Sequence, residues 1–303
     1  MARCAGAREA VPPLRWWRGW ELLVALPLAV VLFVPATWPR WAFMWTLTVA
    51  LYSGCKWLTW RRSTVRGAPL ARHLGYLFAW PGLDADAFLN PSPTHPPRKP
   101  PAWEWALAAT QLALGVGLLF GVARWVPAEH PYVVGWVGMI GLALALHFGL
   151  LQLFSCAWRR AGVAACPLMD WPFASVSLGE FWGRRWNTAF RDFTHRFFFR
   201  PLTPRLGARG ALAVGFVFSG LVHELAISVP AGGGYGGPCL FFLLQGSALL
   251  AERSPVGRQL GLGAGWRGWL FTLVVLIVPA AALFHPPFVT AVIVPFMHAL
   301  GAL

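Results

Sequence analysis

The sequence predicts an all-α polytopic membrane protein with about eight transmembrane helices, and three observations support this prediction. Hydrophobic residues make up 57% of the 303 residues and charged residues only 12%, with a mean hydropathy of +0.56. A soluble globule of this size would need far more polar surface. Long apolar runs recur along the chain, and tryptophans lie at their ends, as amphipathic rings do at the lipid headgroup level.

Eight apolar runs are long enough, or nearly so, to cross the ~30 Å hydrocarbon layer of a bilayer as helices. They lie at residues 21–38, 41–57, 102–125, 132–158, 210–229, 237–251, 266–285 and 287–303. The second and sixth runs are short, so we expect them to be tilted or partly re-entrant. No internal repeat or soluble domain interrupts the pattern, which predicts one integral membrane domain over residues 1–303.

The positive charges beside these runs predict the orientation of the protein. The residues that flank the first two runs are Arg3, Arg8, Arg15, Arg18, Lys56, Arg61, Arg62, Arg66 and Arg72. Loops such as "PAEHP" and "PAGGGYGGP" on the opposite side carry almost no positive charge. We therefore expect a multi-pass protein with both termini in the cytoplasm, and the expected location is a bacterial inner (cytoplasmic) membrane. The net charge of +14 reflects this topology, and no basic domain indicates nucleic-acid binding.

Two long segments, 61–101 and 159–209, do not span the membrane, and long connections of this kind are usually functional. The first contains the proline cluster "NPSPTHPPRKPP", which predicts an extended strap at the membrane surface. In the second, Ser177 can cap a helix that has Glu180 three residues later. Aromatic residues then recur near helical spacing with arginines between them, which predicts an amphipathic interfacial helix. They are Phe181, Trp182, Trp186, Phe190, Phe193 and Phe197.

The stretch "FVFSGLVHELAIS" places His223 and Glu224 inside an apolar run. A full charge at the bilayer centre costs ~2.5–3.5 kcal/mol on insertion scales, so the presence of these two residues requires an explanation. One cause is structural, since a buried imidazole can join helices by hydrogen bonds. The other is chemical, since a neutral histidine in a water-poor chamber can act as a general base. The polar, aromatic segment just before His223 favours the chemical interpretation.

Two familiar motifs fail in their context. The sequence "HEL" at His223 lacks the second histidine of a zinc-protease motif, because position 227 is Ile227. The five cysteines form no CxxC pair, so the sequence predicts no metal site. The run "GGGYGG" at 232–237 follows a membrane helix rather than a strand, which favours a turn between spans over a dinucleotide-binding loop.

Three motifs in order resemble the wax synthase branch of the membrane-bound O-acyltransferase family. They are "WPGLDADAFL", "SLGEFWGRRWN" and "SGLVHELAISVPAGGGYGG", and the resemblance covers residues 80–245. The resemblance implies transfer of a fatty acyl group from acyl-CoA, the co-substrate, to a hydroxyl group, with no further cofactor. It also implies two key positions, Asn187 at the end of "FWGRRWN" and His223 in the membrane helix.

The chemistry of thioester transfer fits these positions. The enzyme must deprotonate an alcohol and stabilise the oxyanion that develops on the thioester carbonyl. We expect His223 to take the proton, and Asn187 either to orient a substrate or to donate to the oxyanion. Glu224 points about 100° away from His223 on the helix and is expected to position helices. The residues expected to bind substrate are Arg184, Arg185, Arg191, Trp186 and Ser219.

Guanidinium groups suit the phosphates of CoA, although the same arginines could serve only topology and contacts with anionic lipid. The expected acceptor is a long-chain alcohol. Sterols, diacylglycerols or secondary metabolites are alternative acceptors, and a lipid transporter with a polar path is a further alternative. A transporter would be expected to carry paired broken helices in two repeats, and the sequence has no such repeat.

Overall fold

The computed structural model describes residues 19–91 and 97–303, and within these ranges the chain is helical with no β-strand. The predicted all-α class is therefore confirmed. The arginines predicted to precede the first span and the centre of the proline cluster lie outside the described residues. Four helices are long and apolar enough to cross a membrane, and three shorter apolar helices accompany them. The protein is thus an integral membrane protein.

The N-terminal part forms a helical hairpin followed by two short helices. Their bounds are α1 Glu21–Phe33, α2 Arg40–Arg61, α3 Leu70–Ala79 and α4 Ala85–Leu89. Gly54 permits close contact in the hairpin, because a Cβ there would lie 2.5 Å from Leu23 Cα. The α2 helix is less apolar than the other long helices. Its Lys56 is buried and donates to the Gly82 carbonyl at 2.5 Å, which holds the "WPGLD" segment against the helix.

Two long apolar helices follow, and their residue bounds match the predicted spans to within two residues. They are α5 Ala102–Trp125 and α6 Pro131–Arg160. Glycines let their backbones approach closely: a Cβ on Gly141 would lie 2.9 Å from the Gly115 carbonyl oxygen. Such small-residue contacts are how helices associate in lipid, where the surrounding chains are as apolar as the side chains.

The segment predicted as one amphipathic helix is instead two helices. The chain forms α7 at residues 178–185, breaks at Asn187, and continues as α8 at 188–206 and α9 at 208–231. The predicted cap is present, since Ser177 Oγ accepts from Glu180 N at 2.9 Å. The break at Asn187 arises because its backbone is left-handed, with φ 40°. A second break at Gly207, with φ 67°, separates α8 from the membrane helix α9.

The C-terminal part completes the bundle. Its helices are α10 Gly237–Glu252, α11 Pro255–Gln259, α12 Gly265–Leu283 and α13 Pro286–Ala299. The predicted glycine turn joins α9 to α10, with left-handed backbone at Gly232, Gly234 and Gly236. Glu224 accepts from Gly236 N at 2.8 Å and from Cys239 N at 3.4 Å. It therefore caps the start of α10, the helix-positioning role expected for it.

The glycine contact between α5 and α6 gives a prediction for stability. Gly141→Ala would press a methyl group against backbone atoms of α5, and overpacking of this kind costs ~1–3 kcal/mol. We expect a lower thermal unfolding midpoint in detergent. Gly117→Ala is the matched control, because no atom lies within 4 Å of a Cβ there and alanine favours the helix. Equal midpoints for the two variants would contradict the close packing of these helices.

Candidate active site

A cavity of about 280 Å³ lies between the α7–α8 segment and the membrane helices α9 and α10. Its lining includes His223 and Ser219 from α9, Asn187 from the break, and Phe242 from α10. The two key positions, 36 residues apart in the chain, therefore line one cavity.

His223 has a defined orientation in this cavity. Its Nδ1 lies 2.7 Å from the backbone carbonyl oxygen of Ser219. A carbonyl can only accept, so Nδ1 carries the proton and Nε2 of the neutral ring is the basic nitrogen. The ring also lies 4.5 Å from the Phe242 ring. One hydrogen bond and one ring contact thus fix both the tautomer and the plane of the imidazole.

Ser219 contributes to this site chiefly through its backbone. Its hydroxyl donates to the Gly215 carbonyl at 2.9 Å. Its own backbone carbonyl accepts the hydrogen bond from His223 Nδ1. The helix then changes after His223, because Glu224–Ser228 form a π-helical turn. Such turns are rare and are frequent at functional sites. Ser219 lines the cavity, but its hydroxyl is already engaged as a donor.

Asn187 sits at the bend between α7 and α8 and caps the second helix. Its Oδ1 accepts from Phe190 N at 3.2 Å, while its backbone is left-handed. Asparagine is one of the few residues that tolerate this conformation. A preceding loop residue also stabilises the bend, because Thr188 N donates to the Leu168 carbonyl at 3.0 Å. Because the cap uses Oδ1, the amide Nδ2 is the group of Asn187 that remains able to donate.

Aromatic side chains of α7 form one wall of the cavity. Trp182 lies 5.8 Å from the Phe242 ring and 5.9 Å from the Phe216 ring. Trp186 stacks on Phe181 at 5.5 Å, and on its other side lies His147 at 6.4 Å. This wall gives the cavity an apolar surface of the kind that holds a hydrocarbon chain.

The three predicted arginines occupy different places. Arg191 lines the cavity, where it bonds Asp192 and donates to the Gly183 carbonyl at 3.2 Å. Arg185 lies outside the lining and pairs with Glu180 at 2.8 Å. Arg184 is exposed and also lies outside the lining. Of these guanidinium groups, only that of Arg191 is in the cavity.

The ion pair of Glu180 is reinforced by its backbone contacts. Its Oε2 accepts from Val176 N at 2.9 Å. Burial alone would raise the pKa of the Glu180 carboxyl, but the hydrogen bonds from Val176 and Arg185 outweigh burial, so that the pKa lies below its ordinary value. Glu180 therefore stays ionised and holds Arg185 at the base of α7.

Arg253 is a cavity residue that the sequence analysis missed as a site residue. It follows α10 and lines the cavity together with Thr194 and His195. It also lines a second cavity of about 320 Å³, which includes Arg209 and Ser254 and shares Phe199 with the first. Within the described chain its guanidinium makes no hydrogen bond or ion pair. The sequence gives no local signal for this role of Arg253, because the segment that lines the cavity with it is more than 50 residues away in the chain.

The described residues contain no group of three His, Cys, Asp or Glu side chains arranged to hold a metal ion. Ile227, which stands where a zinc-protease motif would have its second histidine, is buried in the hydrophobic core. The cavity is lined by histidine, asparagine, aromatic and arginine side chains.

Comparison with known proteins matches this same region. The sequence model of the Membrane bound O-acyl transferase family matches residues 165–244, the range that contains Asn187, His223 and Phe242. The predicted family resemblance is confirmed. The motif "WPGLDADAFL" lies before the matched range, whereas the two motifs that contribute residues to the cavity lie within it.

Two plant proteins are also similar to parts of this chain. "Probable long-chain-alcohol O-fatty-acyltransferase 1" of Arabidopsis thaliana is 29% identical over 170 residues, covering 52% of this chain and 48% of the relative. "Long-chain-alcohol O-fatty-acyltransferase" of Simmondsia chinensis is 33% identical over 72 residues, 21% of this chain and 20% of the relative. The aligned part of this chain thus spans about half or less of these curated relatives. The similarity supports the wax synthase-like branch of the acyltransferases.

Substitutions of Asn187 give a prediction about the bend. Asn187→Asp keeps a capping oxygen and Asn187→Gly keeps the left-handed backbone, whereas Asn187→Ala loses both. Each loss costs ~1 kcal/mol or more. We expect thermal unfolding in detergent to rank alanine as the least stable of the three. An alanine variant as stable as the aspartate variant would contradict the capped, left-handed bend.

Proposed function

We propose that this protein is an acyl-CoA:alcohol O-acyltransferase of the wax ester synthase type. The observation that carries the proposal is that His223, with an available Nε2, and Asn187, with an available amide N–H, line one cavity with aromatic walls. The reaction joins the acceptor oxygen to the acyl carbon and breaks the carbon–sulfur bond, giving an ester and free CoA. The thioester is already chemically activated. The protein must therefore supply a general base and groups that stabilise the oxyanion.

In this mechanism His223 Nε2 takes the proton of the acceptor hydroxyl as its oxygen attacks the thioester carbonyl. The Nδ1 bond to Ser219 keeps the ring in the tautomer that presents Nε2 and stabilises the imidazolium that forms. When the intermediate collapses, the imidazolium returns the proton to the departing CoA sulfur. The base is then neutral again and no proton accumulates in the cavity.

Asn187 stabilises the oxyanion of the tetrahedral intermediate through its Nδ2–H. Its side chain is held by the cap to Phe190, so little reorganisation is needed when charge develops. Removing one such donor typically costs ~10²–10³-fold in turnover. Substrate orientation, the other role considered for Asn187, would affect binding of the substrate more than turnover.

The donor's phosphates bind to arginines at the cytoplasmic side of the site. Arg191 and Arg253 line the catalytic cavity, and Arg253 with Arg209 borders the second cavity. In this proposal the acyl thioester reaches the first cavity while the nucleotide portion stays near the second. Arg184 and Arg185, the last two residues of α7, contribute positive charge that attracts the anionic donor.

The acceptor in this proposal is a long-chain alcohol whose alkyl chain packs on Trp182 and Phe216. The membrane arrangement it requires has eight spans and both termini in the cytoplasm of a bacterial inner membrane, so that acyl-CoA enters from the cytoplasm. The direct test supplies palmitoyl-CoA and a panel of alcohols to membranes containing the protein, and measures free CoA and ester by mass spectrometry. If ester forms only with sterols or diacylglycerols, the acceptor is one of these lipids and not a long-chain alcohol.

Substitution of His223 tests the general base. We expect His223→Ala to lower turnover by ~10²–10⁴-fold, and His223→Gln to be nearly as damaging because glutamine cannot accept the proton at neutral pH. Glu224→Gln, which alters a helix cap, should lower turnover less. Turnover is compared per mole of protein that elutes as a folded species in detergent. A folded His223→Ala protein with near-normal transfer would disprove the mechanism.

The arginines give a prediction for donor binding. Loss of a charged contact to phosphate should weaken binding by about tenfold, equivalent to ~1.4 kcal/mol. We expect Arg253→Gln to raise the KM for acyl-CoA by about this factor with little change in kcat. Arg184→Gln, an exposed arginine outside the cavity, is the matched control and should change KM less. The reverse ranking would assign donor binding to Arg184 and leave Arg253 without this role.

A further inference from the structure

One face of helix α10 is directed toward the site and carries both polar and apolar residues. Phe242, Gln245, Leu249 and Glu252 follow one another at intervals of three, four and three residues, which places them on the same side of a helix. Phe242 and Leu249 line the cavity, and Phe242 contacts His223. The two polar members of this face, which the mechanism above does not use, both contact α7.

Glu252 joins the end of α10 to the start of α7. Its Oε2 accepts from Leu178 N at 2.6 Å and its Oε1 accepts from Gly179 N at 3.3 Å. The side chain is buried, with only 6% of the residue exposed. A buried carboxylate is costly unless hydrogen bonds satisfy it, and the amides at a helix start are favourable partners for negative charge. Residues more than 70 positions apart in the chain are thus joined by one carboxylate.

Gln245 makes the second polar contact on this face. It is fully buried, its Oε1 accepts from Trp182 Nε1 at 3.3 Å, and its Nε2 donates to the Val275 carbonyl at 2.7 Å. This contact fixes the middle of α7, seven residues from the Glu252 contact along α10. The contact with Trp182 is a neutral hydrogen bond, whereas that of Glu252 is charge-assisted and therefore stronger.

We propose that Glu252 is a positioning residue of the acyl-transfer site. It holds the start of α7 on the same helix that contacts His223 through Phe242, and so fixes where the end of α7 places Asn187 relative to His223. This inference rests on the proposed function for its kinetic consequence. Glu252 touches no reacting atom. Its removal leaves two amides without their partner and lets the α7 segment shift, and a shift of ~1 Å can cost about 10²-fold in rate.

The experiment compares Glu252→Ala and Glu252→Gln with Glu129→Gln, which removes an exposed carboxylate from a loop far from α7 in the sequence. We expect kcat to fall ~10–100-fold in Glu252→Ala, with the KM for palmitoyl-CoA within about twofold of wild type. Glu252→Gln keeps one acceptor and should be intermediate. Glu129→Gln should match the wild type. If Glu252→Ala does not fold, a folded Glu252→Gln protein with wild-type kcat overturns the proposal.

A double-mutant cycle with Asn187→Ala separates positioning from general stability. If Glu252 acts through the placement of Asn187, adding Glu252→Ala to Asn187→Ala should lower kcat by less than threefold more. Multiplication of the two full effects would overturn the proposal.

Hydrogen exchange provides a readout that does not depend on acyl transfer. Peptides covering residues 176–186 should exchange faster in Glu252→Ala than in Glu129→Gln, because the Leu178 and Gly179 amides lose their acceptor. Unchanged exchange overturns the positioning role whatever the activity. If exchange is faster in Glu252→Ala but the wild-type protein transfers no acyl group, the contact of Glu252 with α7 is supported and the proposed function is refuted.

Discussion

The left-handed backbone of Asn187 is the constraint on which the candidate site depends. Without it, residues 178–206 would continue as one helix, and the end of α7 could not turn toward α9. Such a break is tolerated because hydrogen bonds replace those lost at the helix ends. Asn187 Oδ1 satisfies the Phe190 amide, and Thr188 N finds the Leu168 carbonyl. The same asparagine thereby shapes the backbone and lines the cavity.

The membrane helices convert this bend into a defined geometry. In lipid, every backbone polar group must be satisfied internally, so α9 and α10 are rigid helices that carry His223 and Phe242 at fixed positions. The α7 segment, which lies before the membrane helix, has no such constraint and must be tied down by side chains. Gln245 and Glu252 supply those ties from α10. The helix that supports the imidazole therefore also supports the segment that ends at the amide.

Sequence patterns located the four long apolar helices, because length and hydropathy determine which segments can enter a bilayer. The α5 span agreed to the residue, and the Ser177 cap was recognised from its local spacing. The break at Asn187 was missed, since the aromatic residues keep a helical period across it and a single left-handed residue leaves no periodic signal. Arg253 and Glu252 were missed for another reason. Their roles come from contacts with residues more than 50 positions away, which only the folded chain brings together.

In the proposed mechanism, a histidine base alone would not explain why an alcohol rather than water is acylated. Water is a competing nucleophile, and Nε2 of His223 could activate it equally well. Selection must therefore come from the apolar walls of the cavity, where Phe242 contacts the His223 ring and Trp182 contacts Phe216 and Phe242. An alkyl chain gains free energy by covering that surface, at ~0.8 kcal/mol for each buried CH₂ group, whereas water gains nothing from it. In this proposal the aromatic walls exclude the water that would hydrolyse the donor and hold the alcohol whose hydroxyl forms the ester.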